Sequence, residues 1–102
     1  MLYVITLTYV RPLEEVDVHL DTHRAWLAEH TRGGRILVAG PLEGRTGGVL
    51  IASCGSREEL DQMLAADSFS VHGLVNSEVR GFTAAMRARA WPAQWAPDAK
   101  AI

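Results

Sequence analysis

The first ten residues of the chain, MLYVITLTYV, are β-branched, aromatic or otherwise apolar almost throughout, which is typical of a β-strand covered on both faces. Successive side chains of a strand point to opposite faces, so each face can be considered separately. One face carries Tyr3, Ile5, Leu7 and Tyr9, and the other carries Leu2, Val4 and Val10. The fold must therefore cover this strand from both sides.

The rest of the sequence alternates between helical and strand patterns. Pro12 ends the first strand, and a helix is predicted from LEEVD to about Arg32, just before a glycine pair. RILVAG and VLIASC are predicted strands, and the glycine-rich LEGRTGG between them indicates a hairpin. A second helix is predicted for GSREELDQMLAAD, where Ser56 and Glu59 form a capping box. SFSVHG predicts a short helical turn and LVNSEVRGFTAAM a fourth strand.

The order β-α-β-β-α-β predicts a ferredoxin-like α+β fold, in which both helices cover one face of an antiparallel sheet. The third strand, like the first, is nevertheless apolar on both sides. Val49 and Ile51 lie on one side, and Leu50 and Ala52 lie on the other. Monomeric proteins rarely expose an apolar face of this size. We therefore expect a symmetric homodimer that packs sheet against sheet.

Composition narrows the classes of function. The chain has 102 residues, which suits one domain, and its net charge of −2 without a basic stripe argues against a nucleic-acid partner. The single cysteine, Cys54, excludes an intramolecular disulfide and suits a reducing compartment. The apolar opening is too short to span a bilayer and lacks a basic leader, so we expect a cytoplasmic protein without a membrane partner. No nucleophile motif, phosphate loop or dinucleotide fingerprint is present, and we expect no cofactor.

Three of the four histidines lie in the first predicted helix: His19, His23 and His30. At about 100° per residue, His23 interrupts the apolar stripe formed by Val16, Leu20 and Leu27. A buried imidazole needs a hydrogen-bond partner, so a polar group should meet His23 in the fold. The alternative to a functional role is a structural histidine bonded to a backbone carbonyl, and the sequence pattern alone slightly favours that alternative.

His19 and His23 are four residues apart, a spacing at which two helical histidines can share a metal ion. No glutamate follows the first histidine as in HExxH, and no third ligand is evident, so we expect no metal site. His19 is instead a candidate second polar group at the rim of a site around His23. Arg11, Arg24 and Arg45 could meet an anionic substrate, although single arginines are usually solvated.

Asp67 ends the second predicted helix and precedes SFSVHG, where an aspartate is a natural N-cap. In a fold of this topology the end of the second helix can approach the first helix, which makes Asp67 a candidate partner of His23. A carboxylate that orients an imidazole is an arrangement of general-base catalysis, but such a pair can also be purely structural.

Six segments, taken in order, resemble the YCII-related family of small dimeric α+β-barrel proteins: MLYVITL, HLDTHRAWL, GGRILVAGPL, TGGVLIA, SREELDQMLAADSF and VRGFT. The resemblance covers residues 1–84 as one domain and leaves residues 85–102 as a C-terminal tail. It implies the dimeric α+β-barrel fold and a site in that domain.

The resemblance also implies which residues form the site. The family places a histidine and an aspartate in an active-site pair, beside a Gly-Pro after the second strand and with a Pro-Phe after the aspartate. The matching positions here are His23, Asp67, Gly40, Pro41 and Phe69. Ser68 stands where the family usually has proline. Because proline only preorganises the first turn of a helix, this change concerns the rigidity of the loop more than the position of Asp67.

Two hypotheses about function follow. One branch of the family resembles a dehydrochlorinase of a hydroxyquinol-type aromatic, and muconolactone isomerases share the barrel, which implies proton transfer on a small organic molecule. The first hypothesis is an enzyme of lyase or isomerase type, with His23 as general acid–base, Asp67 orienting it, and substrate contacts from His19 and the Gly40–Pro41 region. The alternative is a non-catalytic dimeric module that binds a small metabolite or serves as an accessory subunit, with a structural His–Asp pair. An accessible His23 favours the first and a sealed one favours the second.

The tail, RARAWPAQWAPDAKAI, contains Trp91 and Trp95 with Pro92 between them, so an unbroken helix is not expected. Two tryptophans left in water are costly, and disordered tails are usually poor in them. We expect the tail to pack in extended or irregular form on the domain or on the partner subunit.

Overall fold

An antiparallel sheet of four strands carries the fold of the chain, whose computed structural model describes all 102 residues. In chain order the elements are β1 (Leu2–Tyr9), α1 (Leu13–Val18), α2 (Leu20–Arg32), β2 (Ile36–Pro41), β3 (Gly47–Ser53), α3 (Arg57–Ala65), α4 (Ser68–Val71), β4 (Val75–Phe82), β5 (Met86–Arg87) and β6 (Lys100–Ala101). The four long strands lie in the order β2-β3-β1-β4, each antiparallel to its neighbour. The predicted ferredoxin-like α+β arrangement is confirmed.

The central strand, β1, pairs on both sides, and its register decides which side chains meet the helices. Ile5 lies opposite Leu50 of β3 and Val79 of β4, so these residues share one sheet face. That face and the helices form the main core, made of Tyr3, Ile5, Leu7, Trp26, Ile36, Leu50, Ala52, Leu60, Met63 and Leu64. Burial of one large aliphatic side chain contributes about 1.5–3 kcal/mol, so this set provides most of the apolar stabilisation.

The helix α3 begins as its capping box predicts. The hydroxyl oxygen of Ser56 accepts a hydrogen bond from the backbone N–H of Glu59 at 3.1 Å, which satisfies one of the free N–H groups of the first turn. Leu60, Met63 and Leu64 then face the sheet. None of the helices has the length and apolar character needed to cross a bilayer.

The prediction of one continuous first helix is wrong, because the helical segment is divided into α1 and α2 at His19. His19 has φ −108° and ψ 12°, which lies outside the helical range. Its carbonyl oxygen accepts hydrogen bonds from the hydroxyls of Thr22, at 2.9 Å, and Ser68, at 3.2 Å. Ser68 is the first residue of α4, so a contact between distant segments stabilises the break.

The tail lies against one end of the helix-free sheet face and contains one turn of 3₁₀ helix, at Ala93–Trp95. Its strands β5 and β6 pair in parallel. Leu2, Ile51 and Phe82 of the sheet and residues of the tail, among them Trp91 and Ala96, line a common cavity of about 300 Å³. The predicted fourth strand also proves too long, because β4 ends at Phe82 and the chain turns into this segment.

Candidate active site

His23 and Asp67 are hydrogen-bonded, with Nδ1 of His23 2.8 Å from Oδ1 of Asp67. His23 lies on the inward side of α2 and is 9 % exposed, whereas Asp67 precedes α4 and is 1 % exposed. The polar partner that the position of His23 in an apolar stripe requires is therefore this carboxylate, and no backbone carbonyl takes that place.

The hydrogen bonds of Asp67 define the tautomer of His23. Oδ1 of Asp67 also accepts from the backbone N–H of Phe69 at 3.2 Å, as the predicted N-cap of α4. Because a carboxylate oxygen that caps a helix is an acceptor, Nδ1 of His23 carries the proton and Nε2 carries the lone pair. Nε2 has no hydrogen-bond partner in the chain. It is the nitrogen that can take a proton from a bound molecule.

The second oxygen of Asp67, Oδ2, is buried and has no hydrogen-bond partner in the chain. Burial of a carboxylate with one of its two oxygens unpaired costs free energy. The hydrogen bonds of Oδ1 with His23 and with the backbone N–H of Phe69 offset this cost. The buried carboxylate of Asp67 therefore interacts strongly with any positive charge that develops on the imidazole of His23. The pair is thus able to stabilise an imidazolium formed when Nε2 accepts a proton.

Two aromatic rings fix the plane of the imidazole. The ring of Phe69 stacks on His23 with centroids 3.9 Å apart and an angle of 4° between the planes. Trp26 lies on the same helix, 5.8 Å away, and its indole N–H donates to the carbonyl of Met63 at 3.0 Å. Because Asp67 orients the ring edge and Phe69 its face, the direction of Nε2 is set before any ligand arrives.

A cavity of about 130 Å³ lies beside the ring of His23, between α2 and the ends of three strands. Its lining comprises Leu7, Tyr9, Leu20, His23, Arg24, Leu27, Ala39, Gly40, Pro41, Gly47, Gly48, Val49, Leu50 and Phe69. Of the predicted site residues, His23, Gly40, Pro41 and Phe69 line this cavity, and Asp67 lies behind His23. A cavity formed mainly by apolar groups with a few polar atoms is typical of sites for small organic molecules.

Gly47 packs closely against the backbone of β1 at one wall of the cavity. A Cβ atom at this position would lie 1.8 Å from the carbonyl oxygen of Leu7, so no other residue is tolerated without movement of the backbone. Leu7 and Tyr9, which also line the cavity, were not predicted as site residues. They alternate along β1 with the residues of the helix-free face, so they point toward the helices near the C-terminal end of the strand. This position is the signal that could have identified them.

His19 is the predicted site residue that the structure places outside the cavity. Its ring stacks on that of His72 with centroids 3.8 Å apart and planes inclined by 16°. His19 is the residue between α1 and α2, with non-helical backbone angles. No group of three or more His, Cys, Asp or Glu side chains is arranged to hold a metal ion.

Of the three arginines considered from the sequence, only Arg24 lines the cavity. Arg11 is paired with Glu15 at 2.6 Å and Arg45 with Asp17 at 2.7 Å. The hydrogen bonds to these carboxylates raise the pKa of both guanidinium groups and lower that of Glu15. Arg24 makes no ion pair or side-chain hydrogen bond.

The family follows from a match along the domain that contains these residues. The sequence model of the YCII-related domain matches residues 1–83. The chain belongs to the YCII-related family. This YCII-related domain holds every predicted site residue, and the whole tail lies beyond it. A comparison with curated protein sequences returned no relative.

Among solved structures, the YCII-related chain is similar to 5-chloro-2-hydroxyhydroquinone dehydrochlorinase (TftG) from Burkholderia phenoliruptrix AC1100, in a complex with 2,5-dihydroxybenzoquinone. The two sequences are 28 % identical, the TM-score is 0.65, and the match covers 82 % of this chain and 95 % of TftG. Muconolactone isomerase is 16 % identical with a TM-score of 0.64, covering 88 % of this chain and 93 % of its own. An antibiotic biosynthesis monooxygenase is 19 % identical with a TM-score of 0.53, covering 78 % and 94 %. These last two show the fold alone, which is that of the dimeric α+β barrels.

Proposed function

We propose that this protein is an enzyme that catalyses proton transfer on a small ring compound, of aromatic or lactone type, with His23 as general acid–base. The observation that carries the proposal is the bond between His23 and Asp67, since it leaves Nε2 without a partner beside an apolar cavity. Asp67 holds the productive tautomer and stabilises the imidazolium. Gly40, Pro41 and Phe69 contact the substrate in this proposal, and His19 does not.

The size of the cavity supports a substrate with one ring. Its volume is about 130 Å³. For comparison, an engineered apolar cavity of about 150 Å³ in another protein holds one benzene molecule. A single six-membered ring or a lactone therefore fills this cavity, and a fused two-ring compound does not fit without rearrangement. The stacked Phe69 offers such a ring an apolar neighbour next to His23.

The likeness to TftG supports lyase chemistry as the first choice. Loss of HCl from a chlorinated hydroxyquinol to a hydroxyquinone requires that the ring carbon bearing chlorine gains a proton, that two hydroxyl protons are lost, and that chloride leaves with the C–Cl bonding electrons. Nε2 of His23 takes one hydroxyl proton and delivers it to that carbon, and the second hydroxyl proton and the chloride pass into solvent. Isomerisation of a lactone needs the same nitrogen, which removes a proton from one carbon and returns it to another. Both reactions require one acid–base group and neither requires a cofactor.

A second candidate is a non-catalytic module that binds a small metabolite or acts as an accessory subunit. It is favoured by the low exposure of His23, 9 %, and by its near-parallel stack on Phe69, which together suit a structural histidine. In this case the His–Asp pair only joins α2 to α4, and the cavity binds a ring compound without changing it.

Turnover by a His23→Gln variant distinguishes these candidates. The assay offers 5-chloro-2-hydroxyhydroquinone and muconolactone, and it measures chloride release and the ultraviolet spectrum of the product. We expect His23→Gln to lower kcat roughly 10²- to 10⁴-fold, the usual contribution of a positioned acid–base group. His72→Gln is the matched control, because it makes the same chemical change on an exposed histidine outside the cavity. Wild-type protein that binds either ring compound without converting it favours the binding module.

We further propose that the protein acts as a homodimer through the helix-free sheet face, in the cytoplasm. The dimer is supported by exposed apolar side chains on that face, with Val38 54 % and Phe82 44 % exposed. The location is supported by a composition with a single free cysteine.

A further inference from the structure

We infer that Arg24 makes the cavity selective for anionic ring compounds, so that the ring lies beside His23 and an acidic substituent, such as a carboxylate, lies on the guanidinium at the rim. This inference rests on the proposed function and names the substrate class of the same site. It is carried by three observations on the lining of the cavity, which concern its charge, its partners and its size.

The first observation is the charge of the lining. Arg24 is the only permanently charged side chain among the residues that line the cavity, and none of them is acidic. Asp67, the nearest acid in the site, is bonded to His23 and to the backbone of Phe69. The negative charge of Asp67 lies behind the imidazole of His23, whereas Arg24 places a positive charge on the lining itself, which favours an anionic group on the side of Arg24 over a neutral group of the same shape.

The second observation is that the guanidinium of Arg24 is free. Five of the other arginines form ion pairs with acidic side chains: Arg11, Arg35, Arg45, Arg57 and Arg80. Arg24 has no such partner, so no internal salt bridge has to break when an anion binds. Its planar group can donate two parallel hydrogen bonds to a carboxylate, a geometry that an ammonium group lacks.

The third observation is the small volume of the cavity. About 130 Å³ accommodates a ring but leaves no space for a substituent that carries its own hydration shell. Such a substituent must project toward solvent, and Arg24, which follows His23 on α2, is the exposed charged residue of the lining. The site thus separates an apolar part for the ring from a charged part for the substituent.

A binding experiment with two matched probes tests the inference without any need for turnover. Benzoate and benzamide have nearly the same shape and differ in charge. Their dissociation constants are measured at one fixed pH, by following the indole N–H resonance of Trp26 in ¹H–¹⁵N spectra. We expect the wild-type protein to bind benzoate roughly three- to tenfold more tightly than benzamide, as one partly exposed, charge-assisted contact allows.

The variants Arg24→Gln and Arg32→Gln form the matched pair. Both residues lie on α2, both are exposed, and Arg32 also lacks an ion-pair partner but does not line the cavity. Arg24→Gln should bring the ratio of the two dissociation constants to about one, mainly by weakening benzoate binding, whereas Arg32→Gln should keep the wild-type ratio. Sodium chloride should weaken benzoate binding to the wild type and not to Arg24→Gln.

The inference is overturned if the wild type shows no preference for benzoate, if it binds neither probe, or if Arg24→Gln keeps the preference. These results are separate from the test of the proposed function. A His23→Gln variant that retains turnover refutes the acid–base role even where Arg24 selects anions. Loss of turnover in His23→Gln without any effect of Arg24→Gln on the ratio leaves the enzyme in place and removes the anionic substrate class.

Discussion

His23 and Asp67 are separated by 44 positions in the chain, yet Nδ1 of one lies 2.8 Å from Oδ1 of the other. The bond joins the first turn of α2 to the N-cap of α4, so it closes the helical layer on one side of the cavity. The same carboxylate oxygen caps α4. The proposed chemistry and the local folding therefore depend on one residue, and any substitution of Asp67 should affect both.

We expect Asp67→Ala to lower the free energy of unfolding by about 2–4 kcal/mol. Loss of the N-cap accounts for about 1 kcal/mol, and a buried imidazole without its partner accounts for about 1–3 kcal/mol. The measurement is urea denaturation followed by circular dichroism. Asp61→Ala is the control, because Asp61 forms only an exposed pair with Arg57 and its loss should cost less than about 1 kcal/mol. Equal losses in the two variants would contradict a structural contribution of the His23–Asp67 bond.

The fold could be predicted from the sequence because local signals agree with tertiary structure over most of the domain. The apolar runs of β1 and β3 face both sides of the sheet, and the capping box at Ser56 marks where α3 begins. Asp67 acts as an N-cap whatever its partner is, so its position was readable from the chain alone. Its partnership with His23 needed the family resemblance, since no local pattern specifies a contact between distant segments.

The break at His19 could not be predicted for the opposite reason. Nothing in LEEVDVHLDTHRAWL stops a helix, and the break depends on a hydroxyl of Ser68 that reaches the carbonyl of His19. The stack of His19 on His72 is likewise a contact between residues that are far apart in the chain. The strands of the tail are similar, since two residues each carry no periodicity, and only their mutual pairing defines them.

Cys54 provides a prediction that depends on pH. Burial raises the pKa of its thiol, and the charge of Glu59 adds to this while that of Arg35 opposes it. Alkylation by iodoacetamide requires the thiolate, so we expect a rate midpoint at higher pH than for a free cysteine. Because the folded state disfavours the thiolate, raising the pH through the pKa of the unfolded thiol also lowers the stability of the fold. Glu59→Gln should move the alkylation midpoint to lower pH, and an unchanged midpoint would refute this explanation.

The proposed dimer makes a prediction at Val38. The register of β2 against β3 places Val38 opposite Ile51, on the helix-free face, where it is 54 % exposed. A dimer through this face should bury at least about 1,200 Å² in total and persist at micromolar concentration in sedimentation velocity. Val38→Asp should raise the dissociation constant at least about a hundredfold, because an unpaired charge would be buried at the interface.

Val71→Asp is the matched control for this variant. Val71 lies on α4, on the helical side of the sheet, and is 64 % exposed. The same substitution there should leave association unchanged. A folded monomer of the wild-type protein at micromolar concentration, or equal weakening by both variants, would rule out the sheet face as the interface.

The tail gives the last prediction, which separates packing on its own domain from packing on a partner. Trp91 and Ala96 line the 300 Å³ cavity together with Leu2 and Phe82, and Leu2 is only 4 % exposed. Deletion of residues 88–102 uncovers this apolar surface within one subunit. We expect the free energy of unfolding to fall by about 1–3 kcal/mol, which for a domain of this size lowers the melting temperature by roughly 5–15 °C.

The decisive measurement places the deletion in the Val38→Asp background, where association is already weakened. If the melting temperature falls there as it does in the wild-type background, the tail stabilises its own sheet. The alternative is that the deletion leaves the melting temperature of Val38→Asp unchanged and only weakens dimerisation of the protein that retains Val38. That result would assign the tail to the partner subunit.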